Sequence, residues 1–212
     1  MTRLILLRHG ESEANSLNIF SGQSNVPLTE LGVAQAELAA KYLLESEKID
    51  VIYSSDLDRA YNTALPVATA LGLPIIKDST IREFDVGLWV GKTHEQIKKE
   101  YPESYYQDFC ARQYPGGEYV PDAFERSVSN IMRIANDNPD KTVLIASHGG
   151  IIRCFHAFSK GYSKNEVNKV SGPHNAAISI YEIEGERVTP IRTDITEHLE
   201  AADDLPSKKN VI

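Results

Sequence analysis

Two histidines and two arginines stand at positions in the sequence where they could act together on an anion. Arg8 and His9 directly follow the apolar run near the start of the chain, Arg59 lies about one helical turn beyond a second apolar run, and His148 follows a third. A guanidinium group can bind two phosphate oxygens at once, and a neutral imidazole can serve as a nucleophile. This combination is typical of a site for a phosphoryl group.

Each of these residues has an ordinary structural role when it is considered alone. A single histidine at a strand end is more often a hydrogen-bonded structural group than a catalyst, and Arg59 alone would be a surface side chain on a helix. Glu83 alone would be a solvated loop acid. Their convergence is the informative feature, because several cationic groups in one cleft repel each other unless an anion offsets their charge.

The elements that must position these residues are short strands. The runs at 4–7, 51–53 and 142–146 are aliphatic or β-branched, and longer helical patterns separate them. Such alternation is typical of an α/β fold, and we predict a three-layer α/β/α sandwich with a mostly parallel central sheet. Ligands bind outside the carboxyl ends of the strands in sheets of this kind. The sheet would therefore bring the arginines and histidines to one crevice.

Hydrophobic spacing and capping residues predict further elements. Helices are predicted over 29–45, from Ser54 or Ser55 as a cap to about Leu71, and over 121–136. Strands are predicted at 74–77, 176–183 and 188–195. In the first helix we expect Thr29 as the cap and an apolar face formed by Leu31, Leu38 and Tyr42.

The length of 212 residues favours one large domain over 1–212. The stretch at about 84–120 mixes tyrosines with acids, prolines and glycines, so we expect it to be irregular or partly helical and to form a cap over the site. The polar end at about 201–212 is expected to be a loose tail.

Composition and charge exclude several classes of protein. The chain has 22 Lys and Arg against 30 Asp and Glu, a net charge of -8, whereas a general nucleic-acid or anionic-membrane binder shows the opposite bias. Cys110 and Cys154 are too few for a disulfide framework, and the first apolar run is too short for a signal sequence or a membrane span. We therefore expect a cytoplasmic protein with no nucleic-acid or membrane partner, and an apolar edge strand that could support a homodimer.

Other motifs of phosphate and metal chemistry fail at a required position. The segment GLWVGKT at 87–93 has too few residues between its glycines for a P-loop. His94 begins a zinc-binding pattern whose second histidine position holds Lys98. The paired Asp56 and Asp58 are not followed by the hydroxyl or β-branched residue that a magnesium-dependent aspartyl phosphatase carries.

Five segments resemble, in chain order, the motifs of one family. They are Leu7-Arg8-His9-Gly10-Glu11-Ser12 with Asn15, Leu28-Thr29-Glu30-Leu31-Gly32, Ser54-Ser55-Asp56-Leu57-Asp58-Arg59-Ala60, Arg82-Glu83, and Ser147-His148-Gly149-Gly150. Together they span nearly the whole chain, and they resemble the histidine phosphatase superfamily, also called the phosphoglycerate mutase-like family. The resemblance implies the phosphoglycerate mutase-like sandwich and an activity that needs no metal and no cofactor.

The resemblance also implies a role for each matched residue. His9 would be the nucleophile that becomes a phosphohistidine, and Glu83 would protonate the leaving oxygen and then deprotonate the hydrolytic water. A neighbouring backbone carbonyl would fix the tautomer of the nucleophile. The catalytic residues that bind the phosphoryl oxygens would be Arg8, Arg59 and His148. Further substrate contacts would come from Asn15, Ser21, Gly22, Glu83 and Gly149.

Two features of the sequence favour hydrolysis over phosphoryl return. Glu83 and His148 are 65 positions apart, less than in the bisphosphoglycerate-dependent mutases, and Gly150 follows where those mutases usually have asparagine. We predict a metal-independent phosphomonoesterase for a small phosphorylated metabolite of the phosphoserine, α-ribazole phosphate or sugar phosphate type. A phosphoglycerate mutase and a non-catalytic phospho-ligand binding module stay open as alternatives. The side of the site that contacts the leaving group could be lined by Val86, Trp89, Tyr106 and Tyr119. Each of these residues could instead pack in the core.

Overall fold

In the computed structural model the chain folds around one mixed sheet. The structure describes the backbone of residues 1–202 and the side chains of residues 1–200. Its strands are β1 Thr2–Arg8, β2 Val51–Ser54, β3 Ile75–Lys77, β4 Thr142–Ser147, β5 Ile178–Glu184 and β6 Arg187–Ile195. Across the sheet they lie in the order β3-β2-β4-β1-β5-β6. The strands β1 to β4 pair in parallel, whereas β5 and β6 are antiparallel, which confirms a mostly parallel sheet.

Helices connect the strands, and the three predicted helices are confirmed. The α-helices are α1 Glu13–Ser16, α2 Glu30–Ser46, α3 Asp58–Leu71, α4 His94–Glu100, α5 Pro102–Tyr106, α6 Val120–Asn136 and α7 Gly149–Ser159. Short 3-10 helices occupy Ser79–Ile81, Gly87–Trp89, Phe109–Ala111, Lys164–Lys169 and Glu197–Ala202. Within residues 1–202, no helix combines the length and the apolar character that crossing a bilayer requires.

The two faces of the sheet are covered by different helices, which confirms the three-layer sandwich. Leu4 and Leu6 of β1 belong to a buried cluster with α6 and α7, and Ile5 and Leu7 belong to a second cluster with α2 and α3. Successive residues of a strand point to opposite faces, so a continuous apolar strand such as β1 needs cover on both sides. Burial on both faces fixes the position of β1 and therefore of the residues that follow it.

The predicted apolar face of α2 is wrong, although its predicted cap is confirmed. The hydroxyl of Thr29 accepts a hydrogen bond from the Gly32 amide at 3.0 Å. Leu31, Leu38 and Tyr42 are only half-buried, and the buried residues of the helix are Gly32, Ala36, Ala39, Ala40 and Leu43. Small side chains let the helix backbone lie close to the sheet and to α3, and they carry a weak hydrophobic signal in the sequence.

The segment at 84–120 consists of short helices and turns, as expected. Glycines allow two of its turns to approach each other closely. A Cβ on Gly87 would lie 2.2 Å from the Pro115 carbonyl oxygen, and one on Gly117 would lie 2.3 Å from the Asp85 carbonyl oxygen.

The strand β3 lies at one edge of the sheet, and Ile76 on it is 43% exposed. The homodimer and the single domain over 1–212 stay predictions. Of the tail expected at about 201–212, the part from 203 onward lies outside the described residues.

Candidate active site

The carboxyl ends of three parallel strands meet at one edge of the sheet. Arg8 at the end of β1 is opposite Ser147 at the end of β4, and Ser54 at the end of β2 is opposite Ala146. His9 and His148 are the next residues after β1 and β4, and Arg59 lies in the first turn of α3. The register therefore delivers the predicted arginines and histidines to the same place.

A cavity of about 400 Å³ opens at this edge. Six of the nine predicted site residues line it, namely Arg8, Asn15, Ser21, Gly22, Glu83 and Gly149. The other three, His9, Arg59 and His148, are buried, with exposed fractions of 4%, 0% and 0%. The rings of His9 and His148 have centroids 5.2 Å apart, so the two imidazoles are neighbours.

The His9 side chain is held in one tautomer by its neighbour in the sequence. Its Nδ1 lies 2.7 Å from the Gly10 carbonyl oxygen. A carbonyl oxygen can only accept, so Nδ1 carries the hydrogen and Nε2 carries the lone pair. Nε2 has no hydrogen bond within the described part of the chain. The His9 backbone is fixed as well, because its carbonyl oxygen accepts from the Ala176 amide and from Asn175 Nδ2 at 3.1 Å each.

Both histidines are held in the neutral form. Burial, followed by the positive charges of Arg59 and Arg8, lowers the pKa of His9 well below the usual 6.5. Burial and the Arg59 guanidinium are also the main causes that lower the pKa of His148 well below 6.5. An imidazole nucleophile must be unprotonated at the attacking nitrogen, and this electrostatic setting keeps His9 in that state at neutral pH.

Two guanidinium groups, that of the buried Arg59 and that of the half-buried Arg8, supply the positive charge of the site. Arg59 donates from its terminal nitrogens to the carbonyl oxygens of Ser24 at 2.9 Å and Gly22 at 2.8 Å, and Arg8 donates to that of Pro173 at 2.5 Å. Burial lowers the pKa of both arginines, whereas the nearby Glu83 carboxylate opposes this shift. These backbone contacts orient the groups without neutralising them.

Three buried nitrogens in this cluster have no hydrogen-bond partner within residues 1–202. They are Nε of Arg8, Nε of Arg59 and Nδ1 of His148. Buried polar groups in proteins are nearly always hydrogen-bonded, so several unpartnered nitrogens beside two uncompensated guanidinium groups indicate a binding site for an anion. The charge, burial and geometry all favour a phosphoryl group.

The structure corrects the role predicted for Ser54 and Ser55. The N-cap position of α3 is occupied by Leu57, whose side chain makes no capping hydrogen bond. The hydroxyl of Ser55 lies 2.9 Å from Nε2 of His148 and also accepts from the Leu57 amide at 3.3 Å. A serine between a strand and a helix can cap the helix or contact a neighbouring side chain, and Ser55 here contacts the imidazole of His148 and orients it.

Glu83 is positioned by backbone amides. Its Oε1 accepts from the Phe84 amide at 2.9 Å and its Oε2 from the Gly150 amide at 3.1 Å. The Glu83 carbonyl oxygen accepts from Gln23 Nε2 at 3.0 Å and from Arg126 at 3.3 Å. The carboxylate therefore faces the same cavity as the anion-binding groups in a fixed orientation.

Asn15 is oriented as a donor. Its Oδ1 accepts from the Ser12 amide at 3.1 Å, the Ser12 hydroxyl at 2.9 Å and Asn175 Nδ2 at 3.1 Å. These three contacts occupy the oxygen of the amide, so its nitrogen is the end that is free for a ligand. Asn175 was not predicted, and it joins the backbone of His9 to Asn15.

The four candidates for the leaving-group side divide between the cavity, the core and the surface, and for Trp89 the alternative of core packing holds. Of the four, Val86 lines the cavity, whereas Trp89 is buried in the core and Tyr106 and Tyr119 are 66% and 38% exposed. Trp89 packs instead with its ring 5.0 Å from that of Tyr114. The cavity residues that were not predicted are Asn18, Ile19, Phe20, Phe84, His94, Phe109, Tyr114, Gly150, Arg153 and Gly172. Their single-residue signals are ordinary, and the tertiary fold brings them together: Phe84, His94, Phe109 and Tyr114 come from the 84–120 segment, and the others come from 18–20, from α7 and from Gly172.

Within residues 1–202, no group of three or more histidine, cysteine, aspartate or glutamate side chains is arranged to hold a metal ion. The fold and the charged crevice define the class of protein, an α/β protein with a phosphoryl-binding site at the carboxyl edge of its sheet. The chain belongs to the histidine phosphatase superfamily (branch 1), whose family model matches residues 4–196. The predicted family, the phosphoglycerate mutase-like fold and the predicted class of enzyme, a phosphoric monoester hydrolase, are thereby confirmed.

Similar proteins include named phosphatases. The chain is 33% identical over 202 residues to phosphoserine phosphatase 1 of Hydrogenobacter thermophilus, which covers 94% of this chain and 95% of the relative. It is 34% identical over 165 residues to glucosyl-3-phosphoglycerate phosphatase of Mycobacterium tuberculosis, covering 73% of this chain and 74% of the relative. Its fold matches that of Bacillus stearothermophilus YhfR with a TM-score of 0.88 and 28% identity, covering 94% of this chain and 100% of the other.

Proposed function

We propose that the protein hydrolyses a small phosphorylated metabolite through a phosphohistidine on His9. The observation that carries this proposal is the hydrogen bond from Nδ1 of His9 to the Gly10 carbonyl oxygen, which presents Nε2 as the nucleophile. The lowered pKa of His9 supports it, because the ring need not lose a proton before it attacks. The phosphatase-named relatives support the same reaction class.

In the first step Nε2 of His9 attacks phosphorus, and the bond from phosphorus to the ester oxygen breaks. Arg8, Arg59 and Nδ1 of His148 offset the charge on the non-bridging oxygens as the phosphoryl group moves, since their unpartnered nitrogens face no other acceptor. If Ser55 accepts from Leu57 and donates its own hydrogen to Nε2 of His148, the neutral ring keeps a hydrogen on Nδ1 for this purpose.

Glu83 is the proton carrier in this mechanism. In its acid form it donates a proton to the departing oxygen, which leaves as an alcohol. The resulting carboxylate then takes a proton from water as the water oxygen attacks the phosphohistidine, and phosphate and neutral His9 are released. The amides of Phe84 and Gly150 hold the carboxyl group in place through both half-reactions.

The cavity dimensions support a small substrate. A volume of about 400 Å³ lies at the low end of the range for small-molecule sites. Four apolar or aromatic residues of the 84–120 segment line it, namely Phe84, Val86, Phe109 and Tyr114, and we propose that this segment acts as the cap that contacts the leaving group. Metabolites of the phosphoserine, α-ribazole phosphate or sugar phosphate type have suitable sizes.

Trapping of the intermediate tests the proposal. A rapid-quench reaction with p-nitrophenyl phosphate, followed by peptide mass spectrometry under alkaline conditions that preserve phosphohistidine, should locate the phosphoryl group on His9. His9→Ala should fold, bind phosphate and lose turnover by at least about 1,000-fold, whereas His174→Ala, at an exposed position, serves as the control. A phosphoryl group on another residue, or near-normal turnover by His9→Ala, would refute the assignment.

The mutase alternative is tested with a different substrate. Incubation with 3-phosphoglycerate and a trace of bisphosphoglycerate should release inorganic phosphate from a hydrolase. Rapid formation of 2-phosphoglycerate with little free phosphate would instead show phosphoryl return to the substrate. A binding module without catalysis would show neither product.

A further inference from the structure

Arg153 places a third guanidinium group in the wall of the cavity. It lies on α7, is half-buried, and is one of the lining residues. Its Nε donates to the Val170 carbonyl oxygen at 2.8 Å, and its guanidinium carbon lies 4.6 Å from the centroid of the Phe109 ring. The hydrogen bond and the stacking on an aromatic face together fix the plane of the group.

The charge of Arg153 has no acidic partner within the described part of the chain. Among the described residues that line the cavity, Glu83 is the one acid, and its two carboxylate oxygens accept from the amides of Phe84 and Gly150. The terminal nitrogens of Arg153 make no hydrogen bond to a described residue. A partly desolvated guanidinium with free donors at a cavity wall is suited to an anionic group on a ligand.

The position of Arg153 relative to the phosphoryl-binding groups limits the size of that ligand. Gly149, four residues earlier on α7, packs on Arg8 so closely that a Cβ there would lie 3.2 Å from Arg8 Nε. Four residues of α-helix rise about 6 Å. The backbone positions of these two contacts are therefore about 6 Å apart, and on this spacing we expect the second anionic group on the part of the substrate that leaves, a short carbon backbone away from the phosphate ester oxygen.

We propose that Arg153 binds a carboxylate of the leaving group and makes the enzyme selective for small phosphorylated acids, an inference that rests on the proposed phosphatase function. A single planar guanidinium matches the two oxygens of a carboxylate. A phosphate dianion, by contrast, needs the larger set of donors that Arg8, Arg59 and His148 provide. The Phe109 ring beside Arg153 is apolar and the cavity also contains Phe84, so neither side chain offers a hydrogen bond that would compete with a carboxylate on Arg153.

Matched substrates that differ in the carboxylate test this inference. We compare kcat/KM for O-phosphoserine with phosphoethanolamine, and for 3-phosphoglycerate with glycerol 3-phosphate, using p-nitrophenyl phosphate as the reference. For the wild-type protein, kcat/KM should be higher for the acid of each pair by about tenfold or more, the factor that one charge-assisted hydrogen bond contributes. Arg153→Gln, which keeps a donor for Val170, should lower kcat/KM for both acids by about 10- to 100-fold and change the other three substrates by less than about threefold.

Further variants separate this role from a structural one. Arg153→Glu should reverse the preference within each pair, which a merely structural arginine would not do, and Arg192→Gln on the edge strand β6 should leave every ratio unchanged. Equal kcat/KM within both pairs, or a stronger preference for 1,3-propanediol bisphosphate than for the acids, would overturn the inference while p-nitrophenyl phosphate turnover upholds the phosphatase function. Absence of turnover of every phosphomonoester would overturn both.

Discussion

The Glu83 carboxylate lies in the space that a side chain on residue 150 would fill. Its Oε2 accepts from the Gly150 amide at 3.1 Å, and a Cβ on Gly150 would lie 2.4 Å from Oε1. Glycine at position 150 thus allows the start of α7 to hold the carboxyl group directly by its backbone. The residue after His148-Gly149 sets the position of the proposed proton carrier.

Gly150→Ala should impair the proton transfer more than the fold. The added methyl group displaces the end of a flexible side chain, so we expect kcat/KM for an alkyl phosphate to fall by about 10- to 100-fold, within the range of general acid catalysis. The loss should be much smaller for p-nitrophenyl phosphate, whose leaving oxygen hardly needs a proton. Steady-state kinetics on the two substrates, with thermal unfolding as the check on folding, measures the difference.

A double-mutant cycle with Glu83→Gln assigns the cause. If Gly150→Ala acts by displacing Glu83, the double variant should be about as slow as Glu83→Gln alone. Fully additive losses would show that residue 150 acts independently of Glu83. If Glu83→Gln lost the same activity on the alkyl phosphate and on p-nitrophenyl phosphate, Glu83 would not be the acid.

The position of the site could be predicted because strand ends are visible in the sequence. A continuous apolar run that stops at Arg8-His9 must be a strand buried on both faces, and the parallel pairing then places His9 near His148. The same reasoning gives Arg59, since a helix that follows a parallel strand begins at the same edge. These predictions need only local patterns and one rule of topology.

The residues that shape the cavity could not be predicted in the same way. Arg153 enters the site because α7 continues one turn past Gly149, and Phe109 meets it from a 3-10 helix in an irregular segment. Neither contact leaves a periodic signal in the sequence. The buried alanines of α2, such as Ala36 and Ala39, were missed for a related reason, because close packing of backbones uses small residues that hydrophobic patterns underweight.

The buried neutral histidines predict a loss of stability in mild acid. Burial lowers the pKa of His9 and His148, and more modestly those of His156 and His198, below 6.5. Below pH 6.5 the unfolded chain therefore binds protons that the folded chain does not, so stability is fully present above about pH 6.5 and falls as the pH falls. His9 and His148 together should lower the free energy of unfolding by up to about 2.7 kcal/mol per pH unit.

Urea unfolding in anion-poor buffer between pH 7.5 and 5 measures this slope. Ring ¹⁵N shifts of His9 and His148 should remain those of neutral imidazole at pH 6, and His9→Asn combined with His148→Asn should flatten the stability profile. A free energy of unfolding that stays constant down to pH 5, or a charged His9 ring at pH 6, would contradict the electrostatic account of the site.

Metal chelation should leave the reaction rate unchanged. The positive charge that stabilises the moving phosphoryl group comes from Arg8 and Arg59 in the proposed mechanism, so no step needs a metal ion. Turnover of p-nitrophenyl phosphate should be equal before and after dialysis against excess EDTA. A rate that disappears with EDTA and returns only with added magnesium or zinc would count against the arginine-based mechanism.

Arg126 on α6 is predicted to position Glu83 by holding its backbone. It donates to the carbonyl oxygens of Thr80 at 2.8 Å and Arg82 at 2.9 Å as well as to that of Glu83, and it pairs with Glu118 through two nitrogens at 2.8 and 2.9 Å. Arg126→Met leaves these acceptors and the Glu118 charge without their partner. We expect a loss of about 2–4 kcal/mol in the free energy of unfolding and a lower kcat for alkyl phosphates.

Arg133→Met on the same helix is the matched control. The Arg133 side chain is 44% exposed, pairs with Asp78 and makes a long contact of 3.4 Å to the Thr80 hydroxyl. The same substitution there removes the same charge from α6 but leaves the donors to the carbonyl oxygens of Thr80, Arg82 and Glu83 in place. Because Arg133 is the solvent-exposed partner of this pair and Asp78 is 14% exposed, its removal should cost about 1 kcal/mol, and the kinetic constants should stay at their wild-type values. If both variants lost the same stability and the same activity, the effect of Arg126 would come from its charge alone rather than from the hydrogen bonds that hold the segment from Thr80 to Glu83.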